Sequence, residues 1–173
     1  MKDKRSDLAI DIVENAIFRM EESLRMISKS TALLSTEELW KKPNRASNSV
    51  GNIIIHLKGN ITQYILAGLG GQEDRRQRDL EFSVTHSYSA KELNHMLQEL
   101  MEEVKTVLYG LKDKELIKSH SVQGFKLSGQ GIVLHVVEHL SYHTGQIAFW
   151  TKILKNKDLG FYEGFDLNTK NDK

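Results

Sequence analysis

Only one proline, Pro43, interrupts a chain of 173 residues. Proline ends helices because it lacks an N–H and its ring clashes with the preceding turn, so its near absence leaves room for several long ones. From Asp7 to about Thr31, the residues Leu8, Ile12, Ala16, Met20, Leu24 and Ile27 recur three or four apart and mark one helix face. Ser35-Thr36-Glu37-Glu38 is a capping-box pattern that opens a short helix through Trp40, and Pro43 to Ser47 is a loop. A second long helix is expected from Asn48 or Ser49 to Gly68, stopped by Gly70-Gly71. Ser89-Ala90-Lys91-Glu92 is another capping box. It opens a third long helix through about Leu108, with Leu93, Met96, Leu97, Leu100, Met101 and Val104 on its apolar face. The residues from Leu116 to Leu127 alternate around Gly124, as in a small hairpin or an extended connector. Ser128 then caps a fourth long helix that runs to about Leu154.

Four long helices with one apolar stripe each predict an all-α four-helix bundle, with a small irregular or hairpin connector before the last helix. Residues 1–160 are expected to form this one domain and 161–173 a C-terminal tail, disordered at its end. The segment from Gln72 to Tyr88 is long for a bundle connection, and such loops often cover a site. Composition narrows the function further. A net charge of +1 leaves no electrostatic footprint for nucleic acid or for an anionic membrane. The basic run Arg75-Arg76-Gln77-Arg78 stands among Glu73, Asp74 and Asp79 and reads as a solvated loop. No apolar run is long enough to span a bilayer, and the first residues lack a secretory apolar core, so a cytoplasmic location is expected. The chain has no cysteine, so any metal must be held by nitrogen or oxygen.

Histidine supplies that chemistry. His135, His139 and His143 follow one another at intervals of four. Each step advances about 40° beyond a full turn, so the three lie along one slowly rotating stripe. Two imidazoles one turn apart can share an ion, but the ends of the row are about 12 Å apart, so one end stands outside any single site. His56 sits in the apolar run Ile53-Ile54-Ile55-His56-Leu57. Taken singly, each is a core histidine satisfied by a hydrogen bond. Taken together, burying several imidazoles without partners is costly, and a metal satisfies three at once. Glu138 adjoins His139 but does not lie between two histidines as the base of a helical metalloprotease would, and it points about 100° away from His139.

The run from His135 to Ile147, with His139 and His143 followed by Thr144, Gly145 and Gln146, resembles the C-terminal metal-binding helix of the DinB superfamily. That group is similar to the bacillithiol- and mycothiol-dependent transferases. The stretch Asn48 to Asn60 around His56 resembles the first-ligand helix of the same group, and Gly70-Gly71 with Arg78-Asp79-Leu80-Glu81-Phe82 resembles one branch of it. The resemblance covers nearly the whole chain. It implies an up-down-down-up bundle, often a homodimer, holding one divalent ion: nickel or zinc first, manganese or iron as further candidates. The ligands it implies are His56, His139 and His143. His135 falls outside that trio, beside the ligands or lining the cavity. Thr144 stands where many relatives have an arginine. Asn60, Gln63 and Gln146 are candidates to face the cavity, and Trp40, Tyr64, Tyr142 and Trp150 line either a pocket or the core.

Three functions fit this reading. The resemblance implies an enzyme that activates a low-molecular-weight thiol for attack on a small electrophile. Metal-assisted hydrolysis is a second, and it requires a base near the ion. A non-catalytic, stress-associated bundle in which the metal holds the fold or a dimer together is the third. The expected partners are a small-molecule substrate or thiol and a second copy of the chain, docked through an apolar stripe on the first or third long helix. Neither nucleic acid nor membrane is expected.

Overall fold

The computed structural model describes residues 5–171; the expectations for residues 1–4 and for residues 172 and 173 lie outside them. Seven α-helices and a two-stranded hairpin are described. They are α1 (Asp7–Thr31), α2 (Thr36–Trp40), α3 (Val50–Ile61), α4 (Arg78–Glu81), α5 (Ala90–Gly110), α6 (Asp113–Ile117), β1 (Ser119–Val122), β2 (Phe125–Ser128) and α7 (Gly129–Lys155). Each long helix starts on a serine whose hydroxyl accepts a backbone N–H of the first turn: Ser6 from Ala9, Ser49 from Asn52, Ser89 from Glu92 and Ser128 from Gly131. Ser35–Glu38 and Ser89–Glu92 close as reciprocal capping boxes. α7 ends on Asn156, whose φ of 46° is left-handed, a conformation asparagine tolerates.

Side-chain contacts fix the helix directions. Arg5 near the start of α1 bonds the carbonyl of Tyr109 at the end of α5, and Asn94 near the start of α5 bonds Thr31 at the end of α1. These two helices are antiparallel. Arg25 and Lys29, late in α1, bond the carbonyls of Phe161 and Gly160, just past the end of α7, so α1 and α7 run together. On α3 and α7, His56 meets His139 while Tyr64, further along, meets His135, so that pair is antiparallel. The order is up-down-down-up in an all-α four-helix bundle. α1 and α3 each pack on both α5 and α7 around a core that includes Val13, Ile27, Leu57, Ile65, Leu93, Val104, Val136, Leu140 and Ile147.

This topology explains the long connection after α3. α3 and α5 are parallel neighbours, so the chain must return along the bundle between them, and a short turn cannot do that. Residues 72–89 form this crossover, and it contains a short helix, α4, that the sequence pattern did not reveal. Two further features differ from expectation. α3 continues past Ile61 as a π-helical segment, Thr62–Ala67, closed by bonds such as Gly68 N–H to Gln63 C=O and Gly70 N–H to Ile65 C=O. The α1 stripe is also rotated from the one expected. Leu8 is 70% exposed, and the buried face runs through Ala9, Val13, Ala16, Ile17, Met20 and Ile27. A strict four-residue step drifts around a helix, so a stripe anchored at Leu8 leaves the core face. The connector before α7 is a hairpin with register Ser119↔Ser128 to Val122↔Phe125, and Gln123 and Gly124 at its turn both have positive φ. Among the described residues no helix is long and apolar enough to cross a membrane.

Candidate metal centre

α3 delivers His56, and α7 delivers His139 and His143 one turn apart, onto a common point between the two helices. The three rings form a tight cluster, with centroids 5.0 Å (His56–His139), 5.2 Å (His56–His143) and 4.6 Å (His139–His143) apart. One nitrogen from each lies within 4.8 Å of the others. Among the described residues this is the one group of three or more such side chains able to hold an ion.

The outer ring nitrogens are held from behind. His56 Nδ1 lies 2.8 Å from Glu81 Oε2, and Arg76 clasps the same carboxylate through Nε to Oε1 at 2.7 Å and Nη2 to Oε2 at 3.0 Å. A carboxylate paired with arginine accepts, so the His56 Nδ1 hydrogen points at Glu81 and the Nε2 lone pair faces the cluster. Gln146 Oε1 accepts from His143 Nδ1 at 2.8 Å, which frees Nε2 of that ring. His139 Nε2 stands 3.2 Å from His56 Nε2, and its Nδ1 is buried without a hydrogen-bond partner. Two imidazole nitrogens this close must share either a proton or a cation. The donor set fits a divalent ion of the kind nitrogen ligands favour.

Glu81 and Arg76 come from the crossover, the latter from the basic run Arg75–Arg78 that reads in the sequence as a solvated loop. That reading fails at Arg76: its side chain is 4% exposed, the Glu81 side chain 8%, and the pair is buried over His56. Arg75 does remain at the surface, paired with Glu73. Two features of α3 admit the crossover. Asn52, buried in the first turn, donates to the carbonyls of Glu81 (3.1 Å) and Val84 (2.8 Å) and pins the crossover backbone. At Gly59 a Cβ would stand 2.0 Å from Glu81 Oε1, so only glycine leaves space for that carboxylate. Gln63 accepts from Arg76 Nη1 at 2.8 Å and donates to Asp74, so it belongs to the clasp and not to the cavity.

The other expected residues divide. His135 lies outside the cluster, stacked between Tyr64 (centroids 4.3 Å) and His139 (5.7 Å), with its Nε2 buried and unpartnered. Asn60 is buried, and its Oδ1 also lacks a partner. Trp40 and Tyr64 belong to the core. Gln146, Tyr142 and Trp150 line a cavity of about 700 Å³ that opens onto His56, His139 and His143 and is walled also by Phe82, Phe149 and Ile153. Glu138 is exposed and does not line it.

Burial is the largest influence on all four histidines and pushes their pKa values down, that of His139 to about 3. They are therefore neutral at pH 7, with lone pairs available. An unfolded histidine takes up its proton near 6.5. Between about 6.5 and 3 the unfolded chain therefore binds more protons, and folded stability falls as the pH falls. Metal-free protein is expected to lose melting temperature from pH 7 to pH 5, with a shallower decline in His139→Leu. Equal slopes in the two proteins would show that His139 does not carry the effect.

Solved structures share this architecture. A DinB-like protein from Bacillus cereus superposes with a TM-score of 0.65 at 18% identity, over 83% of this chain and 90% of that one. YfiT from Bacillus subtilis, described as a probable metal-dependent hydrolase with an unusual four-helix bundle topology, gives 0.69 at 14%, over 82% and 87%. A variant of a mycothiol-dependent maleylpyruvate isomerase gives 0.61 at 10%, over 78% of this chain but only 60% of that one. At these identities the likeness is one of fold. No curated protein matches the chain. The model of a protein family of unknown function, DUF1572, matches residues 7–162; the chain has the fold of the DinB-like structures and belongs to that family.

Proposed function

We propose that the protein is a metal-dependent enzyme that activates a low-molecular-weight thiol for attack on a small electrophile, with His56, His139 and His143 holding one divalent ion. The observation that carries this reading is the convergence of three neutral imidazoles on the floor of a largely apolar cavity of small-molecule size. When bound, the ion supplies positive charge that favours thiolate over thiol at neutral pH. The residues of the chain do the rest. Glu81 and Gln146 keep the His56 and His143 rings aimed, and Phe82, Phe149 and Trp150 exclude water and hold the apolar part of the electrophile. Hydrolysis is less well supported, because it needs a base at the reacting centre. No carboxylate among the described residues lines the cavity, and Glu81 is committed to Arg76 and His56.

The test is optical. Cobalt-loaded protein titrated with cysteine or glutathione is expected to develop a saturable thiolate-to-metal charge-transfer band that is absent in His56→Ala. It is also expected to accelerate conjugation of the same thiol to monochlorobimane. Cobalt that binds yet gives no band with either thiol would sink the thiol reading and leave hydrolysis or a purely structural metal.

A further inference from the structure

The cavity above the histidine cluster carries one charged side chain that nothing in the metal centre uses. Arg78, in the first turn of α4, lines it, and its guanidinium lies over the Phe82 ring at 5.2 Å from the centroid. Arg76, two residues earlier, is consumed by Glu81, whereas Arg78 makes no ion pair with any described residue. Stacking on an aromatic face holds a guanidinium in place while leaving its N–H fork open. Phe82 in turn packs on His56, with centroids 5.1 Å apart, so the arginine is tied through one ring to the cluster. The opposite rim is apolar and exposed: Tyr142 at 63%, Phe149 at 68% and Ile153 at 54%. Large apolar side chains grouped at a cavity mouth mark a surface that expects cover.

We infer that this cavity selects an anionic substrate: a small molecule with an apolar, preferably aromatic, body lying against Phe149 and Ile153 and a carboxylate paired with Arg78. This deepens the proposed function by naming its substrate class, and it rests on that reading for the identity of the cavity as the substrate site. Among the described lining residues no acidic group opposes an anion, and the arginine fork matches a carboxylate in a bidentate arrangement. The apolar walls raise the strength of that pairing by keeping water from it.

A matched pair of probes tests the charge preference. 4-Phenylbutyrate and its neutral amide, 4-phenylbutyramide, are titrated into the protein while the methyl resonances of Ile53 and Ile153 are followed by NMR. The titration is run on metal-loaded and on metal-free protein. In the metal-free protein the carboxylate is expected to bind about tenfold tighter than the amide, a difference of about 1.4 kcal/mol, and Arg78→Gln should bring the two together. Arg78 is exposed, so this variant should fold. Equal affinities in the native protein, a preference that survives Arg78→Gln, or no shift of either methyl would each overturn the inference. So would methyl shifts that depend on protein concentration without any probe, which would give the rim to a second copy of the chain. If the protein binds no metal but the Arg78-dependent preference is seen, the anion site stands and the metal chemistry falls.

Discussion

Protein carrying His139→Ala is expected to emerge from purification without a divalent metal, while the native protein carries about one equivalent. His139 is the most informative single ligand to remove. It is central in the cluster, with centroid distances of 5.0 Å to His56 and 4.6 Å to His143, and its Nδ1 has no other bond to lose. Removing His56 would instead take one hydrogen-bond partner from the buried Glu81 carboxylate and mix a stability effect into the result. Loss of a direct ligand should weaken metal affinity by more than about a hundredfold, the upper range for partners that only support one. His135→Phe, by contrast, should keep the metal, because His135 lies outside the cluster. Elemental analysis of the three proteins, with circular dichroism to show that each is folded, makes the comparison. Native protein without metal, even after incubation with nickel, zinc, manganese or iron, would reduce the cluster to neutral histidines sharing protons.

Arg76→Met is expected to destabilise the metal-free protein by about 3 kcal/mol, because it leaves the Glu81 carboxylate buried beside His56 without its cation. Arg76→Met combined with Glu81→Gln removes the charge on both sides and should recover part of that loss, with a coupling energy above about 1 kcal/mol in the double-mutant cycle. Urea unfolding in the presence of a chelator measures both. The single variant should also bind metal about tenfold more weakly, since the Glu81–His56 bond loses its brace. A destabilisation below about 0.5 kcal/mol would place Arg76 with ordinary surface charges and would mean that the crossover is not clamped there.

The parts of this molecule that were legible in the sequence are those governed by local rules. Serine caps, capping boxes and the α5 stripe from Leu93 to Val104 read directly, since each depends on residues three or four apart. The histidine row on α7 read for the same reason, His56 stood out within its apolar run, and likeness to a known metal helix grouped His56, His139 and His143 as ligands. The clasp did not read. Arg76 and Glu81 lie in a run of balanced charges, and nothing local distinguishes them from the exposed Arg75 and Glu73 beside them. They meet His56 only because parallel α3 and α5 force the chain to return across the bundle, and helix direction is a tertiary fact. Asn52 and Gly59 became meaningful only afterwards, one as the pin for that return and the other as the gap it fills. Leu8 failed in the opposite direction, because a regular spacing chose the wrong edge of an otherwise correct helix.

The π-helical segment Thr62–Ala67 closes its turns with bonds spanning five residues instead of four, so α3 accommodates one residue beyond an unbroken α-helix over that stretch. In terms of alignment, it is one residue for which an unbroken helix has no place. A relative whose helix is α throughout would stay in step with this chain at His56 and fall out of step by one position past Ala67. The gap in such an alignment belongs inside the helix, where gaps are ordinarily avoided. Deleting one residue there would remove the widened turn and leave the residues beyond it facing as they do now.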